Sequence, residues 1–180
     1  VGGRSVDTTM GFTPLEGLVM ATRSGSVDPG LVLWLEEHEK LTPHEVAQAL
    51  EHRSGLTALA GTGDMREIQS RAAAGDPGAN LALEVFVHSL AGHVAAMTAS
   101  TAGLDLLVFT GGVGENSAIV RRLAADRLGH LGVGIDDQLN ADEPVDADVT
   151  AAGATVRTVV AAAREDLQMA RETRRLIEAG

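Results

Sequence analysis

A short apolar run, Leu104-Asp105-Leu106-Leu107-Val108-Phe109-Thr110, passes without a linker into Gly111-Gly112-Val113-Gly114-Glu115-Asn116. This junction constrains the fold more than any other segment. A run of that length without polar alternation is the pattern of a central strand covered on both faces. Glycines directly after it mark a tight turn, here into a helix expected over 117–128. Beyond that helix, 133–135 reads as a short strand, 155–161 as a second strand and 165–178 as a closing helix. Strand, glycine turn, helix, strand, helix defines an α/β layer architecture.

Upstream the pattern is helical. The first thirty residues are rich in Gly, Thr, Ser and Pro and predict loop with short extended pieces. Residues 31–40 read as a helix, with Lys40 near the end where the dipole favours a cation. Thr42-Pro43-His44-Glu45 is a capping box with proline at the first helical position, opening a helix that Gly55 is expected to close. Asp64 with Glu67 repeats the signal, and Gly75 ends that helix. Asp76-Pro77 starts the longest helix. Its stripe Leu83, Val87, Leu90, Val94 and Met97 keeps helical spacing to about Ser100, and its weakly charged outer face predicts burial on more than one side. The polar stretch 136–148 reads as an acidic, solvated loop.

Composition removes several function classes. Lys and Arg number 14 against 25 Asp and Glu, a net charge of −11. Non-specific binding to nucleic acid or to an anionic membrane therefore has no global electrostatic basis, and any phosphate must be bound locally. Phe12, Phe86, Phe109 and Trp34 are the aromatic residues, too few for a base-stacking platform. No cysteine is present, which excludes disulfides, thiolate chemistry and Cys-type metal sites and fits a reducing compartment. The stretch 94–107 is too short and too polar to span a bilayer, so neither nucleic acid nor membrane is expected as a partner. The six histidines show no metal pattern. With 44% apolar residues the 180-residue chain has material for a real core, and its length fits one domain.

Four segments could carry chemistry. In the glycine turn, Gly112, Val113, Gly114, Glu115 and Asn116 let the backbone approach a ligand, and free amides at the next helix start could seat a phosphate or a polar nucleoside edge. The alternative is a tight turn with no ligand. Arg23, in Thr22-Arg23-Ser24-Gly25, is suited to stabilising phosphoryl charge, or else pairs with Asp28 on the surface. Glu165 and Asp166 stand where a strand gives way to a helix. They either hold Mg²⁺ or complement the helix dipole. Asp64-Met65-Arg66 is a further polar cluster, or simply an N-cap.

Taken together, these segments resemble the C-terminal half of the acetate kinase family, in the acetate and sugar kinase, heat-shock-chaperone and actin superfamily. The stretch Ser5-Val6-Asp7-Thr8-Thr9-Met10-Gly11-Phe12-Thr13-Pro14-Leu15-Glu16-Gly17-Leu18-Val19-Met20 is similar to a family signature and runs straight into Thr22-Arg23-Ser24-Gly25. Phe109-Thr110-Gly111-Gly112-Val113-Gly114-Glu115-Asn116 resembles the adenosine-binding turn, and Asp64-Met65-Arg66 lies where the family has an Asp-x-Arg nucleotide contact.

The resemblance implies a C-terminal, ribonuclease H-like nucleotide-binding domain over residues 1–180. It implies that Arg23 stabilises the transferring phosphoryl group and that Glu165 holds Mg²⁺. Asp64, Met65, Arg66 and Gly112, Val113, Gly114, Glu115 and Asn116 would bind ATP or ADP. Where the family reads Thr-Asn-Glu-Glu, this chain has Ala163-Arg164-Glu165-Asp166. The family's N-terminal catalytic motifs do not precede Val1, so the chain is expected to be part of a longer kinase and inactive alone. Acetate and ATP would be the substrates of the intact, cytoplasmic, homodimeric enzyme. A propionate kinase shares these motifs, and a non-catalytic nucleotide-binding or dimerisation module is the other alternative.

Overall fold

The computed structural model describes residues 1–142 and 145–179; part of the predicted acidic loop, 143–144, lies outside the described residues. The first segment, to Val27, contains turns and no strand, so the expected extended pieces do not pair. Asp28 accepts the Gly30 amide and Pro29 sets the first turn of α1 (Pro29–Glu37). Lys40 lies past that helix at φ 58, and its Nζ still donates to the Glu37 carbonyl.

The Thr42–Glu45 capping box forms as predicted and starts α2 (Pro43–His52). Gly55, however, does not close it. Arg53 is the C-cap, and Gly55 begins α3 (Gly55–Ala60). Its φ is +64°, and a Cβ there would lie 2.2 Å from the Met20 carbonyl oxygen and 2.7 Å from that of Arg23. Glycine is needed at this point because the helix start is packed against the 20–23 loop.

Asp64 caps α4 (Met65–Ala73) by accepting the Arg66 amide. The reciprocal half of that cap is not made, because Glu67 is engaged by the Thr62 hydroxyl and by Arg71. Asp76 then caps α5 (Pro77–Thr101) by accepting the Ala79 amide.

Downstream are β1 (Leu106–Phe109), α6 (Gly111–Asn116), α7 (Ala118–Leu128), a 3-10 turn (Gly129–Leu131), α8 (Asp137–Ala141), β2 (Ala147–Asp148), β3 (Arg157–Val160) and α9 (Glu165–Ala179). The glycine turn is thus itself a short helix. The acidic stretch likewise contains α8, capped by Asp136, together with β2. The expected strand over 133–135 reduces to single bridges from Val133 to Val156 and from Ile135 to Thr150. Gly132, at φ +88°, takes the backbone out of the extended region just before Val133, although the Gly132 and Gly134 carbonyls still accept the Val156 and Ala151 amides.

The sheet has the order β1-β3-β2. β1 and β3 are parallel, from Leu106 opposite Arg157 to Phe109 opposite Val160, and β2 is antiparallel to β3.

α5 joins two cores. Its first half packs with α3 and α4 through Ala79, Ala82 and Phe86 against Leu56, Met65 and Ile68. Farther along, Ala91 and the partly buried Leu90 and Val94 join Leu107, Phe109, Leu128 and Val160. Each buried Leu, Ile, Val or Phe contributes roughly 1.5–3 kcal/mol. By length and composition α5 could cross a membrane, yet its buried side chains are the ones packed on neighbouring helices and sheet. The expected burial on more than one side is not met: Ala79, Ala82, Phe86, Val87 and Ala91 form one buried stripe, and Leu81 on the other side is 52% exposed.

The reading of β1 is corrected. It is an edge strand, and only Leu107 and Phe109 are buried; Leu106 and Val108 remain 47% and 43% exposed. Among the described residues the helices cover one face of this sheet, so the uninterrupted apolar run has half its side chains without cover.

Candidate functional site

The carboxyl ends of parallel strands are where open α/β sheets place their ligands. Here the α6 glycine turn at the end of β1, the start of α4 and the 18–21 loop enclose a cavity of about 880 Å³. Leu18, Met20, Leu56, Phe86 and Leu90 make apolar wall, while Arg66, Gln69 and Asn116 add polar groups. Of the residues singled out from sequence, Asp64, Met65, Arg66, Gly112, Val113, Gly114 and Asn116 all line it. Arg23, Glu115 and Glu165 do not.

The glycines have separate jobs. Gly111 takes φ +72°, which turns the chain out of β1. A Cβ on Gly114 would lie 3.3 Å from the Phe109 carbonyl carbon, so this glycine packs the turn against its own strand. A Cβ on Gly112 would meet nothing within 4 Å, so its surroundings are open. The first amide of α6 is already used: Gly111 N donates to Glu115 Oε1 at 2.7 Å. The expected seat of free amides, at the next helix, falls at the start of α7, where the Val120 amide already donates to the Ser117 hydroxyl.

Arg121 is a residue that sequence reasoning misses. It is 1% exposed. Nε donates to Asn140 Oδ1 at 2.7 Å, Nη2 to the Asn140 carbonyl at 2.9 Å, and Nη1 to the Gly114 and Glu115 carbonyls, both at 2.8 Å. Burial pushes its guanidinium down from the usual arginine value, but an arginine stays charged in a folded protein. The group thereby fastens the end of α6 to α8. The signal that could have found it is helical spacing, since residue 121 lies within the inward stripe of Val120, Ala124 and Leu128. Ser117 likewise joins the elements, accepting from Gln69 Nε2 at 2.8 Å and from the Val120 amide at 3.1 Å.

At the opposite wall, Arg66 forms an ion pair with Asp64 at 2.9 Å. The Arg66 guanidinium first, and then its backbone amide, hold the Asp64 carboxyl down at about 2. This edge of the cavity therefore carries both charges at neutral pH.

Arg23 sits two residues beyond Ala21, a wall residue, on a loop closed by the Met20 amide donating to the Arg23 carbonyl at 3.1 Å. The surface pairing with Asp28 is not made, since Asp28 caps α1. Glu165 and Asp166 are exposed at the start of α9. Arg164, which stands next to them in sequence, is bonded to Asp146. Among the described residues no group of three metal-ligating side chains occurs.

A parallel strand pair opening onto a glycine turn and a cavity of about 880 Å³ defines an α/β domain with a candidate ligand site. The profile of the acetokinase family matches residues 1–171, and the chain belongs to that family. It is 46% identical over 172 residues to an acetate kinase of Microcystis aeruginosa, covering 95% of this chain and 43% of that protein. To an acetate kinase of Pseudothermotoga lettingae it is 42% identical over 179 residues, covering 99% and 44%. Among solved structures, a propionate kinase from Francisella tularensis superimposes with a TM-score of 0.90 at 40% identity, covering 96% of this chain and 44% of the other. An acetate kinase from Entamoeba histolytica gives a TM-score of 0.90 at 31% identity, covering 97% and 47%. The chain thus spans less than half the length of these relatives.

Proposed function

We propose that the chain, as a C-terminal nucleotide-binding domain over residues 1–180, supplies the nucleotide side of an acetate kinase. That enzyme moves the γ-phosphoryl group of ATP reversibly to acetate, giving acetyl phosphate and ADP. The observation that carries the reading is the convergence of Asp64, Met65 and Arg66 with Gly112, Val113, Gly114 and Asn116 on one cavity. Its volume is in the range of small-ligand sites, and its apolar wall with a few polar groups suits a base and ribose. Phosphoryl transfer asks the protein chiefly to position the reactants and offset charge. Arg23 fits the second task, because a guanidinium is permanently charged and forms paired hydrogen bonds to phosphoryl oxygens.

Glu165, with Asp166 beside it, fits a magnesium ion, which takes one or two carboxylates and completes its shell with water and phosphate. When bound, the ion would draw charge off the phosphates. The intact enzyme is read as cytoplasmic and homodimeric, and this chain alone as making no acetyl phosphate.

Isothermal titration with Mg-ADP tests the proposal. The chain should bind, and Gly112→Val should weaken binding about tenfold or more, because its side chain enters open space without meeting the backbone. Unchanged affinity in that variant would overturn the nucleotide reading. Propionate in place of acetate is the second reading, favoured by the fold match to a propionate kinase. Comparing the two acids as substrates of the intact protein decides between them.

A further inference from the structure

The Glu115 carboxylate turns back onto the protein. Its Oε1 accepts the Gly111 amide at 2.7 Å and the Ala163 amide at 2.8 Å, and the Thr110 hydroxyl stands at 3.5 Å. Gly111 follows β1 and Ala163 follows β3. The ladder between these strands ends where Ala161 N donates to the Phe109 carbonyl at 2.9 Å. Past that bond the two backbones part, one entering α6 and the other leading to α9. One carboxylate oxygen, with its two lone pairs, ties them together after the sheet has stopped doing so. On the far side, Arg121 holds the Glu115 carbonyl at 2.8 Å, so the residue is fixed at both ends.

We propose that Glu115 is a positioning residue, which sets the glycine turn of the nucleotide cavity at a fixed distance from the carboxylates of Glu165 and Asp166. This inference rests on the nucleotide reading above. Its consequence is that the cavity and the α9 carboxylates act together: Mg²⁺ should tighten ADP binding, and the tightening should depend on Glu115. What the position requires is an acceptor oxygen at this reach, not a charge. Glu115→Gln keeps that oxygen, Glu115→Ala removes it, and Glu115→Asp keeps the charge but is one methylene too short.

Two measurements test this on the full chain, with the urea midpoint of each variant confirming that it is folded. In ¹H–¹⁵N spectra the Gly111 and Ala163 amide protons should lie downfield, as hydrogen-bonded donors do. Both should move upfield together in Glu115→Ala and Glu115→Asp and stay in place in Glu115→Gln. Titration with ADP, with and without Mg²⁺, should show that Glu115→Ala and Glu115→Asp lose about tenfold of the Mg²⁺-dependent gain, as for the loss of the shared acceptor's hydrogen bonds, while Glu115→Gln retains it. Amides that do not shift, a Gln variant that behaves like Ala, or an undiminished Mg²⁺ effect in the Ala variant would each overturn the proposal. Wild-type chain that binds no ADP would overturn the nucleotide reading and the positioning role with it. The amide shifts would then report separately whether the carboxylate spans the two strand ends.

Discussion

Arg121 carries a full charge, is 1% exposed, and is held by neutral acceptors alone. Removing it strands the buried Asn140 side-chain oxygen and carbonyl, where each unmet polar group costs about 1–3 kcal/mol, and releases two part-buried carbonyls of α6. Arg121→Met should therefore lose more than about 3 kcal/mol, read as a fall in the urea midpoint. Arg121→Lys should not rescue it, since one ammonium cannot span the same fork. A second residue-scale prediction concerns acid. The Thr150 hydroxyl first, then the Thr150 amide and Arg157, hold the Asp148 carboxyl at about 2. Its folded value lies below the unfolded value of about 3.9, so its stabilising effect is complete above that value and is lost as pH falls through about 2. Urea midpoints should drop across that window, and by less in Asp148→Asn. At this scale the sequence is half legible. Asp64, Met65 and Arg66 stand out through the resemblance to the family's Asp-x-Arg contact, since by themselves they read as an N-cap, which Asp64 also is. Arg121 is marked by helical spacing as inward-facing, but nothing local to it names the Asn140, Gly114 and Glu115 oxygens that surround it.

Two glycines show how an element depends on its setting. At Gly92, inside α5, an added methyl would meet nothing within 4 Å, whereas a methyl at Gly55 would lie 2.2 Å from the Met20 oxygen at φ +64°. Gly92→Ala should stabilise the chain by roughly 0.5–1 kcal/mol, and Gly55→Ala should destabilise it by more than about 1 kcal/mol. The second change should also weaken ADP binding by shifting the Met20–Ala21 wall; thermal melts and titration check the pair. Helix starts are readable because caps are local: Thr42, Asp64 and Asp76 open helices where the sequence places them, while Asp28, read as loop, caps a helix that starts two residues earlier than expected. Gly55 reads as a stop in the sequence because its contact lies far earlier in the chain, on a loop without periodic signal. The glycine turn is recognisable as a junction, but its coiling into α6 depends on Glu115 and Arg121 closing it from both sides.

At the scale of the molecule, the sheet leaves an edge and a face uncovered among the described residues. Leu106 on that face is 47% exposed. Exposed apolar edge strands invite pairing with other chains. Leu106→Lys should therefore lower light scattering at high protein concentration while leaving stability within about 0.5 kcal/mol. The apolar run announces a strand but not its neighbours, since covering a second face is a property of whatever packs there and not of the strand. The parallel pairing of β1 with β3 has one more consequence, and it concerns time. Residue 106 meets residue 157 only after α6, α7, α8 and β2 have been placed between them. The contacts of α3, α4 and α5, by contrast, join close neighbours in sequence. Distant pairings form slowly because loop closure must come first. The two walls of the cavity therefore mature on different clocks: the helical wall early, the glycine turn with the sheet, so that a binding-competent pocket is among the last things this chain makes as it folds.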